Sequence, residues 1–352
     1  MQGCWNTYSK KTFEYLVLRK EVACMVVVTG ATGHIGNALV RELVAGGVKV
    51  RALVLPSDPV KSIEGLGIEL AYGDVRDYRS LVRAFKGADV VYHLAGIVAI
   101  GSGKRRLLRE VNVQGTKNVS DACLDLGVPR LVYVSSIHAF KEPPMGTPIL
   151  ETKDFDARKV SGGYAKSKAE ATKYVLDLTM KGLDAVVVHP TGVIGPYEYG
   201  LSHMGQLFVD FMRSRLFAVI DGAYDFVDVR DVAKGIVLAA KYGRKGENYI
   251  LSGEHVTIKN MMQVLQDETG IKAPKRVIPT WFAYITGAFA ELYYMAMRQK
   301  PLFTSYSVAT LSSNSLTSCN KANKELGYSP RPFRDTVRDT VAWLRKTIIG
   351  AK

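Results

Sequence analysis

The stretch MVVVTGATGHIG, residues 25–36, decides the fold. It opens with a short β-branched run that is typical of a buried strand. Gly30, Gly33 and Gly36 follow at intervals of three, and residues 37–45 (NALVRELVA) have apolar side chains at helical spacing. A strand, a glycine turn and a helix in this order point the first helical amides at an anion, and the helix dipole favours a pyrophosphate. An ordinary tight turn is the alternative, but the flanking strand and helix favour a dinucleotide site.

The composition is that of a globular protein with a basic balance. The 352 residues hold 47 Lys and Arg against 33 Asp and Glu, a formal net charge of +14. The basic residues are scattered and form no cluster with aromatic residues, so we expect no nucleic acid partner. The cysteines form no CxxC pair, which argues against a zinc site and a disulfide framework. We therefore expect no metal and a cytoplasmic location.

The order of elements predicts an α/β fold: a Rossmann-type, doubly wound parallel sheet with a smaller, discontinuous C-terminal substrate domain. Residues 1–24 are expected to be a poorly ordered extension, because their apolar segment is too short for a secretory core or a membrane span. Residues 25–195 alternate strands and helices and form the dinucleotide-binding domain, which about 226–252 rejoin. The looser and more aromatic segments 196–225 and 253–352 are expected to form the substrate-binding cap.

Ligands of such sheets bind at the carboxyl ends of the strands. Asp74 follows the third predicted strand, where it would accept a hydrogen bond from an adenine amino group or, alternatively, cap the next helix. Ala95 and Gly96 end the fourth strand, and their small size lets the backbone lie against a cofactor. The second strand ends at Val54 and Leu55, which are neither the acid that selects NAD nor the Arg that selects NADP. The choice between NAD and NADP stays open.

The stretch YAKSK, residues 164–168, suggests the chemistry. Tyr164 and Lys168 are four residues apart and share one face of a predicted helix. The tyrosine pKa is normally about 10, and an adjacent ammonium lowers it by favouring the phenolate. Tyr164 would then exchange a proton with an alcohol oxygen. Ser136, at the end of the fifth strand, would donate a hydrogen bond to the same oxygen. A surface Tyr–Lys pair is the alternative interpretation.

These motifs resemble the extended branch of the short-chain dehydrogenase/reductase superfamily, the NAD-dependent epimerase/dehydratase family. The resemblance spans about residues 25–343 and rests on TGATGHIG, GDVRD, YHLAG, VNVQGT, VYVSSI, YAKSK, HPTGVIGP, FVDVRDVA and ELGYSPRP. Within the branch, VRALVLP and VYVSSIHAF are most like dihydroflavonol reductases and 3β-hydroxysteroid dehydrogenases. The resemblance implies a catalytic triad of Ser136, Tyr164 and Lys168, completed by Asn112, for which helix packing is the alternative role.

The resemblance also implies that NAD or NADP lies along the strand ends. His189 departs from the family's RPxxVYGP segment, so we do not expect it to contact the cofactor. The expected contacts are Gly30, Thr32, Gly33, His34, Ile35, Gly36, Asp74, Val75, Leu94, Ala95, Gly96, Tyr164, Lys168, Pro190, Thr191 and Val193.

The expected activity is hydride transfer between nicotinamide and a carbonyl or secondary alcohol of a small, fairly apolar substrate, because the cap is rich in apolar residues. A nucleotide-sugar epimerase or dehydratase with the same Ser–Tyr–Lys site is the alternative, since Arg213, Arg215 and Lys234 would bind a diphosphate. Residues 281–297 are expected to form a buried cap helix, with a transient peripheral membrane contact as the alternative. A small-molecule substrate is the expected partner, and a homodimer stays open.

Overall fold

The computed structural model describes residues 24–98, 105–279 and 314–350. The predicted extension, apart from Cys24, and the apolar segment 281–297 lie outside the described residues. The described strands are β1 (Met25–Thr29), β2 (Lys49–Val54), β3 (Glu69–Tyr72), β4 (Val90–His93), β5 (Arg130–Val134), β6 (Ala185–Pro190), β7 (Gly192–Ile194), β8 (Ala218–Ile220), β9 (Ala223–Asp228), β10 (Asn248–Leu251), β11 (Glu254–Thr257) and β12 (Arg276–Ile278).

Helices lie between most of these strands, and two follow β12. They are α1 (His34–Ala45), α2 (Tyr78–Phe85), α3 (Arg105–Leu108), α4 (Thr116–Asp125), α5 (Gly163–Thr179), α6 (His203–Met212), α7 (Val229–Tyr242), α8 (Ile258–Thr269), α9 (Asn320–Leu326) and α10 (Phe333–Leu344). Single 3-10 turns occur at Val60–Ser62 and Ile137–Ala139, and π-helical segments at Arg109–Gly115 and Arg345–Ile349.

The central sheet has seven strands in the order β10–β6–β5–β4–β1–β2–β3, and its neighbours all pair in parallel. In register, Val28 of β1 lies between Ala52 of β2 and Tyr92 of β4. The strand order reverses between β1 and β4, which makes their carboxyl ends the topological switch point where ligands of such sheets bind. The sheet therefore places the predicted glycine turn at the expected binding crevice.

Both faces of the sheet are covered by helices, which explains why its inner strands are almost wholly apolar. Side chains alternate between the faces along β1. Val26 and Val28 pack with α1 and α7, whereas Val27 packs with α2, α4 and α5. All three valines are at most 2 % exposed. The predicted doubly wound Rossmann-type sheet is confirmed.

A second, smaller core forms beyond β6. The strands β11–β9–β7 make a short sheet and β12 pairs with β8. Around them, α6, α8 and α10 bury a separate cluster that includes Phe208, Phe211, Met261, Leu265 and Val337. This cluster agrees with a predicted substrate-binding unit, whose exact boundaries stay a prediction. Within the described ranges, no helix combines the length and the apolar character needed to cross a membrane.

The helical stretch of residues 105–125 has a wide turn in its middle. The π-helical segment Arg109–Gly115 separates α3 from α4 and contains Asn112. Single π-turns are rare and occur often at functional sites. The sequence pattern did not predict this turn, because the contacts that accompany it come from distant residues described below.

Candidate active site

In the glycine turn between β1 and α1, Gly30 and Gly36 have no space for a side chain. Gly33 faces open space. Gly30 has φ +71°, and a Cβ there would lie 2.7 Å from the amide nitrogen of Ala95. A Cβ on Gly36 would lie 2.0 Å from the carbonyl oxygen of Gly30. At Gly33 an added Cβ would meet only Gly30 O, at 3.3 Å. Gly33 caps α1, and its exposed position leaves a cradle above the first helical amides that a larger side chain would fill.

This cradle suits a pyrophosphate. Among the described residues, no side chain caps the N-terminus of α1, and its first turn contains no acid. Helix amides and the positive end of the helix dipole therefore face the open space beside Gly33. Ile35 packs half-buried against the sheet core, and His34 Nε2 lies 3.0 Å from the carbonyl oxygen of Pro196. The residues present fit the predicted dinucleotide.

The loop after β2 folds back onto the glycine turn. Thr32 Oγ1 donates to Asp58 Oδ2 (3.4 Å), which also accepts from the amide of Leu55 (3.1 Å). Ser62 Oγ in turn donates to the carbonyl oxygen of Thr32 (3.2 Å). An acid therefore stands beside the turn, although the strand end itself is apolar. The sequence interpretation did not single out Asp58, because it looked for the selecting residue at Val54 and Leu55 and otherwise named only Arg51, Ser57 and Lys61 as nearby polar candidates.

Asp74 and Val75 lie past the end of β3. The carboxylate of Asp74 accepts from the amide of Arg76 (2.8 Å) and from its guanidinium, and this hydrogen bonding lowers the pKa of Asp74. The cap of α2 is Asp77, which accepts from the amide of Arg79. The alternative role of Asp74 as helix cap is therefore wrong, and its adenine contact stays a prediction. Val75 is buried, 7 % exposed, and packs on the π-helical segment.

Ser136, Tyr164 and Lys168 come together where β5 ends beside α5. Ser136 follows β5 in an extended conformation and accepts from the amide of His138 (3.3 Å). Lys168 is 5 % exposed, and its Nζ donates to the carbonyl oxygen of Val134 (2.9 Å), two residues before Ser136. Tyr164 lies one turn before Lys168, in the first turn of α5.

The environment of Lys168 lowers the pKa of its ammonium group. Its partners are neutral: the Val134 carbonyl and the ring of Tyr133, whose centroid is 5.1 Å from Nζ. Burial lowers the pKa of Lys168 to about 7. A lysine that titrates near neutral pH in a cleft is typical of a functional site.

Asn112 lies in the π-helical segment and is 1 % exposed. Its side chain accepts from the amide of Ile97 (2.8 Å), and its Nδ2 donates to the Ile97 carbonyl oxygen (3.0 Å) and to Ser167 Oγ (3.1 Å). A Cβ on Gly96 would lie 3.2 Å from Asn112 Oδ1 and 3.6 Å from Lys168 Nζ. Asn112 therefore ties the loop after β4 to the helix of Tyr164 and Lys168. Its place in a catalytic tetrad stays a prediction.

The end of β6 and the residue after it divide between the core and the crevice. His189 is fully buried between Phe140 and Phe155, and its Nδ1 lies 3.1 Å from the carbonyl oxygen of Ser136. Burial lowers the pKa of His189 to about 3. Pro190 ends β6, and Thr191 Oγ1 donates to Asp225 (2.6 Å). The structure thus places His189 in the core beneath Ser136.

Of the remaining predicted residues, two pack beside the sheet core and three are exposed cations. Leu94, after β4, and Val193, in β7, are half-buried and pack against the sheet core. Arg213 and Arg215 are exposed after α6, whereas Lys234 is exposed on α7, a helix of the central domain.

His138 is a further residue that sequence reasoning missed, as is its contact with Tyr224 of the cap. Tyr224 OH lies 3.1 Å from His138 Nε2, and the ring of His138 contacts Tyr164 edge to face at 6.1 Å. Burial lowers the pKa of His138 to about 4. The one available signal was the position of His138, two residues after Ser136. The pair borders an open cavity lined by Ile137, His138, Glu142, Ile149, Thr191, Tyr224, Asp225, Asn314, Ser315 and Thr317.

Comparison with known proteins agrees with this geometry. The family described as NAD dependent epimerase/dehydratase matches residues 26–252. The chain belongs to this family. It is 35% identical over 326 residues to sterol demethylase protein B of Methylococcus capsulatus, covering 91% of this chain and 98% of the relative. It is 29% identical over 312 residues to 4-hydroxy-2-methyl-3-oxo-4-farnesyl-3,4-dihydroquinoline-1-oxide ketoreductase of Stigmatella aurantiaca, covering 86% and 91%.

A solved structure supports the same conclusion. The crystal structure of gox2253 shares 33% sequence identity with this chain, with a TM-score of 0.80 over 92% of this chain and 98% of that one. The extended short-chain dehydrogenase/reductase resemblance is confirmed. The protein is an NAD(P)-dependent oxidoreductase, and its cofactor is NAD or NADP.

Proposed function

We propose that the protein interconverts a ketone and a secondary alcohol on a small, fairly apolar substrate, with Tyr164 as general acid and base. The observation that carries the proposal is the bond from Lys168 Nζ to the Val134 carbonyl (2.9 Å). This bond holds α5 against the end of β5, so that Tyr164 and Ser136 share the crevice with the glycine turn.

The chain's own residues handle the proton. In the reducing direction, Tyr164 gives its phenolic proton to the carbonyl oxygen, and the hydroxyl of Ser136 donates a hydrogen bond to that oxygen. The ammonium of Lys168 stabilises the phenolate that remains. When bound, the nicotinamide supplies or accepts the hydride. The reverse direction uses the Tyr164 phenolate as the base that removes the alcohol proton.

The substrate class follows from the relatives and from the cavity. The two relatives are named for a sterol and for a farnesyl-bearing quinoline, which are bulky and mostly apolar. In this chain the His138–Tyr224 pair adds a polar wall close to Tyr164. We therefore propose a ketone on an apolar ring or isoprenoid body, with its oxygen at the polar end of the cleft.

An absorbance assay of reduced nicotinamide tests the proposal. We expect turnover with cyclic and isoprenoid ketones and little with acyclic hydrophilic ketones of the same carbonyl reactivity. If apolar ketones are not reduced with either cofactor, while the protein binds dinucleotide, the proposed reaction is wrong.

Asp58 supports NAD rather than NADP. An acid about 20 residues after the glycine turn binds the adenosine ribose in dinucleotide folds. The Asp58 carboxylate, held by Thr32 and Leu55, would repel a 2′-phosphate. We expect Asp58→Asn to improve NADPH affinity relative to NADH by about tenfold. The same change at the exposed Asp221 is the control, and equal ratios in both variants would exclude this role of Asp58.

A nucleotide-sugar epimerase or dehydratase is the second candidate. The exposed Arg213 and Arg215 after α6 and the polar residues of the cavity support it. Such an enzyme keeps its cofactor during turnover. A purified protein that carries NAD in stoichiometric amount and converts UDP-glucose without exchanging that NAD would favour this candidate over the first.

We also propose a cytoplasmic homodimer that contacts membranes peripherally. Phe217, 77 % exposed, follows Arg213 and Arg215 and supports contact with an anionic surface. Sedimentation with anionic vesicles at low and high salt tests this contact, because electrostatic attachment is lost in salt. Protein that stays in the supernatant at low salt would contradict the membrane contact.

The proposed homodimer is tested separately. Light scattering of the purified protein measures its oligomeric state, and a monomer would contradict the homodimer.

A further inference from the structure

A chain of buried hydrogen bonds runs beneath the carboxyl ends of β1 and β4. The amide of Ala95 donates to Thr29 Oγ1 (3.1 Å), which lies 2.8 Å from His93 Nδ1. On the other side of the ring, His93 Nε2 lies 3.0 Å from Thr116 Oγ1, and this hydroxyl donates to the carbonyl oxygen of Asn112 (2.7 Å). The three side chains are at most 1 % exposed.

The protons of this chain fix the tautomer of His93. Thr116 gives its one hydroxyl proton to Asn112, so it accepts from the ring, and Nε2 carries the hydrogen. Nδ1 is then an acceptor for the hydroxyl of Thr29, whose oxygen already receives the Ala95 amide. Every hydrogen bond in this series is therefore donated in the same direction, from the Ala95 amide towards the Asn112 carbonyl. Burial and the charge of Lys168 lower the pKa of His93 to about 3, so the ring is neutral at physiological pH.

The chain closes into a ring that includes the catalytic helix. The side chain of Asn112 binds both backbone groups of Ile97, two residues after Ala95. Asn112 Nδ2 also donates to Ser167 Oγ, which donates to the carbonyl oxygen of Tyr164 (2.7 Å). His93 therefore connects the backbone after β4 to the helix that carries Tyr164.

We propose that His93 is a positioning residue, whose neutral ring bridges Thr29 and Thr116 and so holds residues 95–97 against the nicotinamide half of the cofactor. The proposal rests on the assignment of Ser136, Tyr164 and Lys168 as the reaction site. Its support is the position of Gly96, where an added Cβ would lie within 3.6 Å of Lys168 Nζ. An apolar side chain at residue 93 would keep the volume but lose both hydrogen bonds.

A shape-conserving variant separates positioning from folding. Thr116→Val removes the hydroxyl that joins His93 to Asn112. Thr340→Val is the matched control, because Thr340 is also buried and its hydroxyl also donates to the carbonyl four residues earlier (2.6 Å). The measured quantities are the affinities for NADH and for ADP-ribose, which lacks the nicotinamide.

We expect Thr116→Val to weaken NADH binding by about tenfold and to leave ADP-ribose binding within about twofold of the parent. Thr340→Val should change neither affinity. Equal losses for NADH and ADP-ribose, or no loss for either, would overturn the proposal. ADP-ribose differs from NADH only in lacking the nicotinamide ring and still uses the glycine turn and the adenosine side, so its binding also reports an intact fold.

Nitrogen NMR of the parent protein provides a second measurement. The His93 resonances, identified by their loss in His93→Gln, should show the Nε2–H tautomer without titration between about pH 5 and 8. An Nδ1–H ring, or one that titrates in this range, would overturn the proposal. Failure of the proposed function looks different, since apolar ketones would then not be reduced, while NADH and ADP-ribose still bind and the state of His93 is unchanged.

Discussion

Two polar networks, one partly buried and built from charged groups, the other buried and built from neutral groups, show how this molecule stabilises charge in different places. The anchor network, at the N-terminus of α7, consists of Asp228, Arg230, Asp231, Arg331 and Asp339. Its arginines face carboxylates at 2.7 to 2.9 Å. The hydrogen bond to Asp231 raises the pKa of Arg331, so each charge is stabilised by its partner.

The reaction network, beneath the ends of β1, β4 and β5, is built from neutral groups. It consists of Thr29, His93, Asn112, Thr116 and Ser167, and the single lysine beside it donates to a neutral carbonyl. An ion pair in the anchor network stabilises the fold, whereas burial among neutral groups lowers the pKa of Lys168 to about 7. Burial of polar groups alone therefore does not identify the site.

The largest effect is expected for Tyr164→Phe. The phenylalanine keeps the ring but lacks the proton, so kcat should fall by about 10³-fold, the range of general acid catalysis. Dinucleotide affinity and melting temperature should stay unchanged. Tyr174→Phe is the control, because Tyr174 lies on the same helix and binds only the surface acid Asp121 through its hydroxyl. A rate within about tenfold of the parent would exclude Tyr164 as the acid.

Lys168→Met should lower kcat by about 10²-fold yet raise the melting temperature at neutral pH. The pKa of Lys168 falls from 10.5 to about 7 on burial, so between these values the unfolded chain holds a proton that the folded chain has lost. The free energy of unfolding therefore decreases as pH falls from 10.5 towards 7, and methionine removes this loss.

The control for this lysine is Lys321→Met, because Lys321 has a carboxylate partner, Glu247, at 2.8 Å. Here the melting temperature should fall. Thermal denaturation of both variants across this pH range checks the two signs. Equal destabilisation by both changes would contradict the contrast between compensated and uncompensated charge.

Arg331→Gln breaks the anchor network and should reduce the free energy of unfolding by about 2 kcal/mol, because Asp231 loses its partner while buried. The folded fraction should keep the parent kcat. Arg338→Gln, whose ion pairs are exposed, should cost less than about 0.5 kcal/mol. Urea denaturation measures both, and a loss of kcat in folded Arg331→Gln would show that the anchor network also serves the reaction.

The smallest effect is expected for Gly33→Val, which should weaken dinucleotide binding by about tenfold or more while the protein stays folded. Its side chain would stand in the open cradle, where a Cβ meets Gly30 O at 3.3 Å and no other atom of the described residues within 4 Å. Gly200→Val, at a surface position with nothing within 4 Å, is the control. Equal affinity in the two variants would remove the turn from the binding site.

The sequence predicted the parts of the site that obey local rules. Glycine spacing after a β-branched run predicts the turn, and the four-residue spacing of Tyr164 and Lys168 predicts their shared helix face. Contacts between residues far apart in the sequence follow no local spacing rule, so the sequence did not predict them. His138 meets Tyr224 across 86 residues, and Asn112 reaches Ile97 through a turn that a helical pattern does not show. Asp58 returns to Thr32 only because the loop after β2 folds back.

The π-helical segment Arg109–Gly115 also sets the rotational phase of everything that follows it in α4. Each residue of an α-helix advances the side chains by about 100° around the axis. The wide turn takes in one residue more than an ordinary helical turn, so deleting one residue from it would restore an ordinary helix and leave α4 in phase. Deleting a residue between the wide turn and Val119 would instead turn the rest of α4 by that angle, and the fully buried Val119, Ala122 and Cys123 would swing off the sheet.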